Sequence, residues 1–198
     1  MLFAYKLTDD TGFAPNPFHG VLTLATCKPE IRASKKPGSF VGGFTSGDLC
    51  GDKVGQERLV FIMKITSKIN YESYFIDPKF QCKKPSGDSR ISKSGDNIYY
   101  KTPLGYRRIR NFFHNDANSL ERDLKSDQVL LSRDFFYFGV GAIPVDGFKI
   151  NIPRGQSAQG SKTTDEKLIT NLWNYLSNRY QKNIALNSPH YWEEGEPF

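Results

Sequence analysis

Apolar and polar residues alternate along several short stretches of the chain, which is the pattern of half-buried β-strands. Leu2–Thr8 and Val21–Thr26 both alternate in this way. The run Arg58–Ile65 is almost continuously apolar, so it predicts a strand buried on both faces at the centre of a sheet. Shorter or less regular strands are predicted at residues 39–46, 97–101, 129–141 and 148–152. In the first of these, Gly42 and Gly43 indicate that a ligand or another strand comes close to the backbone.

Two stretches carry helix signals. Asn70 is a suitable N-cap for a short helix over Tyr71–Phe75, which the Asp77-Pro78 pair would end. Near the C-terminus, the spacing of Thr163 and Glu166 is that of a capping box, and it predicts a helix over about residues 163–182. The apolar stripe of this helix recurs every four residues and consists of Leu168, Leu172, Leu176 and Tyr180.

The pattern as a whole predicts an α+β fold. About seven strands and one long helix favour a curved, mostly antiparallel sheet or a small barrel, with the C-terminal helix packed on it. A length of 198 residues favours a single domain over residues 1–198. Residues 81–96 and 104–124 show no clean period and are predicted to be irregular. The second of these segments mixes arginines with aromatic residues, as in a nucleic-acid contact or a solvated loop.

Charge and hydropathy narrow the function classes. The chain has 27 Lys and Arg against 21 Asp and Glu, for a formal charge of +6. This balance suits a polyanionic partner, although basic proteins with other partners are common. No run approaches the roughly 18 apolar residues of a membrane-spanning helix, and Leu2–Leu7 is too short for the core of a signal peptide. We therefore expect a cytoplasmic protein without a membrane partner.

The residues that commonly bind metals are sparse. Cys27, Cys50 and Cys82 are odd in number and lack CxxC spacing, which argues against both a disulfide framework and a zinc site. The histidines stand singly, and neither a phosphate-loop nor a dinucleotide-binding fingerprint is present. No metal and no cofactor are predicted.

The most unusual stretch is the turn at residues 10–20, where glycines and prolines prescribe the backbone while aromatic and amide groups are presented from it. Such a turn, with the basic residues that follow it, could bind a nucleotide by the edge of its base, by the face of its base and by its phosphate. The candidates for these three contacts are, in turn, Asp10 and Asn16; Phe13, Phe18 and His19; and Lys28 and Arg32. The alternative is a rigid hairpin in which Asp and Asn only cap turns, and the residue types leave both open.

Catalytic chemistry has weaker candidates. Cys27 with His19 could form a thiolate and base pair, but a single cysteine at the end of an apolar strand is more often a small buried apolar residue. Asp10 and Asp96 could act as acid or base, yet each stands beside turn-forming residues, where Asp commonly caps backbone N–H groups. Whether the protein is an enzyme therefore stays open.

Five runs of the sequence resemble the nucleotide modification associated domain 2 family, and they span nearly the whole chain up to about Gly155. The runs are DTGFAPNPFHGVLTLATCKPEIR (residues 10–32), RLVFIMKI (58–65), YESYFIDPKF (71–80), GDNIYY (95–100) and LSRDFFYFG (131–139). The resemblance implies a bacterial and phage-linked family tied to modified nucleotides in DNA. Where members tend to carry Gly-Asp and an apolar residue after the basic segment, this chain has Gly38-Ser39-Phe40. A looser likeness, to PUA-like and EVE-type barrels that include readers of modified bases, implies a small PUA-like β-barrel.

The leading hypothesis is binding or processing of a nucleotide or modified nucleobase, in DNA modification or in a phage or defence context. We place the pocket between the turn and the Phe136–Gly139 block, with a nucleotide or nucleic acid, DNA in particular, as the partner. The alternatives are an enzyme that modifies or hydrolyses nucleotides and a protein-interaction module of a defence or phage complex; the oligomeric state is open. The predicted nucleotide-binding residues are Asp10, Gly12, Phe13, Asn16, Phe18, His19, Lys28, Arg32, Asn97, Tyr99, Phe136, Tyr137 and Arg154, and the catalytic candidates are Asp10, Asp96 and Cys27.

Overall fold

The structure is a computed structural model that describes residues 1–155 and 160–192. Its strands are β1 (Leu2–Lys6), β2 (Leu22–Leu24), β3 (Phe40–Phe44), β4 (Arg58–Lys64), β5 (Ser67–Asn70), β6 (Tyr99–Thr102), β7 (Gly105–Arg108), β8 (Gln128–Ser132), β9 (Phe135–Tyr137), β10 (Ile143–Pro144) and β11 (Ser161–Thr163). Its α-helices are α1 (Pro29–Ser34), α2 (Gly47–Cys50), α3 (Tyr71–Ile76), α4 (Arg90–Lys93), α5 (Ala117–Asp123) and α6 (Glu166–Ser177). Short 3₁₀ helices span Pro78–Lys83, Gly139–Gly141 and Asp146–Phe148.

The strands form three sheets. The largest runs in the order β11-β1-β3-β4, and both β9 and β10 pair with the outer edge of β4. β1 and β3 are parallel, whereas the other pairs of this sheet are antiparallel. The second sheet has the order β2-β8-β5 and the third pairs β6 with β7. The mixed α+β class with mostly antiparallel pairing is confirmed. The sheets do not close into a barrel, so the structure does not support the PUA-like β-barrel.

The core is layered because several strands are buried on both faces. One face of the large sheet packs against α6, through Leu2 and Ala4 of β1 and Ile169, Leu172 and Leu176 of the helix. The opposite face packs against the second sheet, and its contacts include Tyr5, Leu7, Val60, Leu22, Leu24 and Leu130. The second sheet in turn covers a cluster formed by Phe13, Val21, Tyr71, Tyr74, Tyr99 and Val129. The turn after β1 is therefore anchored in a core.

Gly43 lies where β3 crosses this core. A Cβ added at Gly43 would lie 2.2 Å from Cε1 of Phe61, whose ring is fully buried. The register of β3 against β4 also shifts between Gly43 and Phe44. The close approach indicated by the two glycines is therefore made by an aromatic ring of the neighbouring strand β4.

Several predicted elements differ from the observed ones. The capping box is wrong, because Thr163 belongs to β11 and the side chain of Asp165 caps α6, accepting from the N–H of Leu168 at 3.0 Å. Residues 104–124 are not irregular but contain β7 and α5, and α4 lies within the predicted loop at 81–96. The strand expected at 148–152 is absent, since residues 146–148 form a 3₁₀ turn and 149–152 are not assigned to a strand. Across residues 1–155 and 160–192, no helix has the length and apolar character needed to cross a membrane.

Candidate functional site

A cavity of about 620 Å³ opens beside the end of β1, and we call it the β1–α1 cavity. Its walls come from β1 and the turn that follows, from the start of α1, and from the segment between Phe113 and Lys125. Its lining includes aromatic side chains (Tyr5, Phe13, Phe113), cationic ones (Lys28, Arg122, Lys125), polar or acidic ones (Thr8, Asp9, Thr11, Glu30), and the pair Cys27 and His114. Its volume falls within the roughly 300–1,000 Å³ of small-molecule sites.

One wall is aromatic. The rings of Phe13 and Phe113 have centroids 6.4 Å apart, and the ring of His114 lies 5.3 Å from that of Phe13. The turn that carries Phe13 is tied to β2 by reciprocal backbone hydrogen bonds of 2.9 Å between Asn16 and Thr23. Phe13 and His114 are buried while Phe113 is half-buried, so the ring of Phe113 is the one of the three that offers most of its surface to a ligand.

The cationic side chains are only partly engaged. Nζ of Lys28 lies 4.8 Å from the ring centroid of Tyr5, and burial lowers the pKa of this amine. The side chain of Arg122 is 50% exposed and Lys125 is exposed as well. In contrast, Lys6 is committed to a buried ion pair of 2.6 Å with Glu57. Lys28, Arg122 and Lys125 are therefore the cations available to a ligand.

Three side chains with catalytic potential converge at this cavity. One donor atom each from Cys27, His114 and Asp123 lies within 4.8 Å of the other two. Nε2 of His114 lies 2.8 Å from Oδ2 of Asp123, and the backbone N–H of Cys27 donates to Oδ1 of Asp123 at 2.8 Å. The histidine beside Cys27 in this cluster is His114 and not His19, which the sequence had suggested.

Asp123 is the fully buried centre of this cluster, at the end of α5. Besides the contacts above, its Oδ2 accepts from the hydroxyl of Tyr99 at 2.9 Å. Nε of Arg122 and Nη2 of Arg32 lie 3.8 and 3.9 Å from Oδ1. Among the described residues, Cys27, His114 and Asp123 are also the group that could surround a metal ion. The two arginines oppose a cation there, because they already supply positive charge to the carboxylate.

The backbone at Cys27 is strained. Cys27 and Lys28 have φ values of 53° and 42°, in the left-handed region that residues other than glycine rarely adopt. Burial, followed by the charge of Asp123, raises the pKa of the Cys27 thiol to about 11, against the opposing effect of Arg122. Hence the resting sulfur is a neutral thiol at neutral pH.

Asp10 is buried away from this cavity. Its carboxylate accepts from the hydroxyl of Tyr137 and from the backbone N–H of His190, and Nδ1 of His190 lies 2.8 Å from Oδ2. Tyr137 and Phe136 are both fully buried, the latter with its ring 5.1 Å from that of Trp173 on α6. Among the described residues, these buried side chains contact other core groups, so they do not support the pocket we expected between the turn and the Phe136–Gly139 block.

Asp96 and Asn16 belong to a second buried network. Asp96 accepts from the hydroxyls of Thr23 and Tyr74, and burial raises its pKa. The side-chain oxygen of Asn16 accepts from Nζ of Lys83 at 2.6 Å. Burial lowers the pKa of Lys83 to about 8. These groups bond to one another and hold the turn against the chain around residues 83–96.

The remaining predicted residues have other surroundings. Of the full predicted set, Phe13, Cys27 and Lys28 line the β1–α1 cavity, and Tyr99 reaches its wall through Asp123. Arg32 is fully buried and its guanidinium donates to the carbonyls of Cys27, Asp123, Ser126 and Gln128, so it is not a phosphate contact. Gly12 and Phe18 pack against Pro189 and Trp192, and Asn97 donates to the carbonyls of Tyr74 and Phe80. His19 is exposed. Arg154 lines a separate cavity of about 350 Å³.

Sequence reasoning missed several residues of the cavity. His114 and Asp123 follow Cys27 by so many positions that no spacing rule connects them, and α5, which carries Asp123, was not predicted. Tyr5 was treated only as a strand residue. The one usable signal was the mixture of arginines and aromatics at 104–124, which includes Phe113.

The fold and the cavity define the class of this protein no further than an α+β protein. The family is shown by the sequence comparison. The chain belongs to the nucleotide modification associated domain 2 family, whose model matches residues 1–196. No curated protein and no solved structure gives a significant match.

Proposed function

We propose that the protein binds a nucleotide, free or presented by DNA, in the β1–α1 cavity. The observation that carries this proposal is the juxtaposition of the Phe13 and Phe113 rings with the available cations Lys28, Arg122 and Lys125 around one cavity. The family description, which concerns nucleotide modification, agrees with a ligand of this class.

The chemistry of each wall fits a different part of a nucleotide. Aromatic rings stack on any base through its π-face, for about 1–3 kcal/mol per base. Side chains of Thr8, Thr11 and Asp9 offer donors and acceptors for base edges or the sugar. Arginine is suited to phosphate because its guanidinium donates two parallel hydrogen bonds. A nucleotide with its base against Phe113 and its phosphate toward Arg122 would contact the aromatic, the polar and the cationic side chains of the cavity.

The test is calorimetric titration with nucleoside monophosphates, plain and modified, and with single-stranded DNA oligonucleotides over a salt series. Phe113→Ala should weaken binding by roughly 5- to 150-fold, which is the loss of one stacking contact. Phe112→Ala is the matched control, because its neighbouring ring is 72% exposed and does not line the cavity. Its affinity for mononucleotides should stay within about threefold of wild type.

The charge contribution is separated by comparing nucleosides with nucleotides. Arg122→Gln should reduce the preference for the phosphorylated ligand, whereas Arg107→Gln, at an exposed position outside the cavity, should not. Tighter binding of oligonucleotides with a steep salt dependence would identify DNA as the source of the nucleotide. If neither form binds at low salt, the proposal fails. A protein that then co-purifies with a partner would favour the interaction module instead.

A further inference from the structure

Cys27 and His114 line the β1–α1 cavity and form a cluster with the fully buried Asp123, and ligand binding alone does not require this cluster. Cys27 lies after β2, His114 precedes α5, and Asp123 ends that helix. Asp123 contacts both of the others, through the backbone N–H of Cys27 and through Nε2 of His114, each at 2.8 Å. One carboxylate therefore fixes the position of a thiol-bearing residue relative to an imidazole.

The strain at Cys27 points in the same direction. Two consecutive residues other than glycine in the left-handed region cost of order 1–3 kcal/mol each and persist only where their surroundings hold them. Here Asp123 holds the N–H of Cys27, and Nε of Arg32 holds its carbonyl at 2.8 Å. Such strain clusters at functional sites, and this instance lies in the wall of the cavity.

We propose, on the basis that the cavity binds a nucleotide, that Cys27 is a nucleophile toward the bound base, with His114 as its proton acceptor and Asp123 as the residue that positions His114. If Nε2–H of His114 donates to Asp123, Nδ1 of the neutral ring is left to accept the thiol proton. A ring nitrogen of His114 lies within 4.8 Å of Sγ of Cys27 and the ring is oriented by Asp123, as in an activated nucleophile whose hydrogen bond to its base tightens in the complex with substrate.

The chemistry of a thiol identifies pyrimidines as the substrate class. Among unmodified bases, the ring carbon C6 of cytosine, thymine and uracil is a conjugate-addition position, and purines offer no comparable carbon; of these, cytosine and uracil carry a hydrogen at C5. In the step, a bond forms from Sγ to C6, the C5–C6 π bond breaks toward C5 and the conjugated heteroatom at position 4, and the thiol proton moves to His114. C5 then takes a proton from solvent. The original C5 proton is then lost to solvent, the C5–C6 double bond re-forms as the Sγ–C6 bond breaks, and Sγ takes its proton back from His114, which restores the base.

The surroundings favour this role over a metal centre. Both oxygens of Asp123 already accept hydrogen bonds, and Arg122 lies close to this carboxylate and 3.8 Å from Sγ of Cys27. An arginine at this distance stabilises a thiolate as it forms but repels a cation. Because the resting thiol is neutral, its attack requires His114 to accept the thiol proton.

The experiment is exchange of the pyrimidine H5 for deuterium in D₂O, followed by ¹H NMR on dCMP and dUMP with the full chain. Wild type should remove the H5 signal. Cys27→Ser should abolish the exchange, and His114→Gln should slow it by roughly 10²- to 10⁴-fold, the usual contribution of a general base. Nucleotide affinity and the urea midpoint are measured for both variants alongside, which separates a lost reaction from lost binding or folding. Cys82→Ser, at an exposed thiol, should exchange like wild type.

Four results would overturn the inference or part of it. Nucleotide binding by wild type without exchange refutes the nucleophile and leaves the proposed function intact, whereas absence of binding refutes both. Stoichiometric zinc bound through Cys27 would occupy the sulfur and exclude its attack. For Asp123, the ¹⁵N spectrum of the His114 ring should show the proton on Nε2, and a neutral ring protonated on Nδ1 would contradict the positioning role.

Discussion

Replacing Asp123 with asparagine should destabilise the fold severely, although the two side chains have almost the same shape. Three donors converge on this carboxylate, from Cys27, Tyr99 and His114, and the residue is fully buried. An amide presents an oxygen on one side and an NH₂ group on the other. The backbone N–H of Cys27 can only donate, so the amide oxygen keeps that bond and the NH₂ group replaces the oxygen that accepts from Tyr99 and His114; both of these bonds are lost unless the hydroxyl and the ring reverse their roles.

The magnitude follows from two terms. A buried donor left unsatisfied costs about 1–3 kcal/mol. The guanidinium of Arg32, which is fully buried and 3.9 Å from Asp123, also loses its counter-charge. Breaking a buried ion pair costs about 3–5 kcal/mol, and the four carbonyls that Arg32 contacts reduce this cost. We expect a total of about 3–5 kcal/mol.

The assay is urea unfolding. With a slope near 2 kcal/mol per molar urea, the midpoint of Asp123→Asn should fall by about 1.5–2.5 M. Asp127→Asn is the control, because this half-buried carboxylate accepts from Gln128 at 2.6 Å, a bond that the amide oxygen can keep. It should change stability by less than about 1 kcal/mol. If Asp123→Asn proved equally mild, Asp123 would not be the centre of the cluster.

Three further predictions concern other contacts. Gly43→Ala should destabilise the fold by about 1–3 kcal/mol in urea unfolding, since the added Cβ meets the buried Phe61 ring. Gly42→Ala is the control: the nearest contact of its Cβ is at 3.3 Å, so its stability should stay within about 1 kcal/mol of wild type. Equal effects of the two substitutions would contradict the close packing of Gly43 against Phe61. Trp192→Ala removes the stack on Phe18 at 5.4 Å and the Nε1–H donation to the carbonyl of Thr11, and should cost about 3–5 kcal/mol by thermal unfolding. In a protein lacking the two exposed thiols, the ultraviolet absorbance of the Cys27 thiolate should rise with a midpoint near pH 11 rather than the ordinary 9.0, and a midpoint below 9.0 would refute this. Because the folded state retains the thiol proton that the unfolded state loses, the free energy of unfolding should fall as pH rises between these values.

Local sequence rules located the elements whose signals are local. The strand predicted at 58–65 is β4, and Asn70 caps α3 as predicted, its side chain accepting from the N–H of Ser73 at 2.8 Å. The predicted capping box is wrong because Asp165 is the N-cap residue of α6, and Thr163 pairs with Leu2 of the neighbouring strand β1. That pairing is a long-range contact, which no local spacing reveals.

The site was predictable in part for the same reason. Phe13, Cys27 and Lys28 stand out in the sequence, and the cavity uses all three. Asp10 and Asn16 also stand out, yet they are polar groups satisfied inside the core. A polar residue in such a turn can either face a ligand or form hydrogen bonds inside the core, and only its hydrogen-bond partners in the structure distinguish the two roles. His114 and Asp123 are recognised through contacts that the fold alone creates.

The most direct measurement is a crystal structure of the protein with a pyrimidine nucleotide bound. Our account predicts the base in the β1–α1 cavity, in contact with the rings of Phe13 and Phe113, with its phosphate near Arg122. A nucleotide bound elsewhere, for example in the cavity beside Arg154, with the β1–α1 cavity empty, would contradict it.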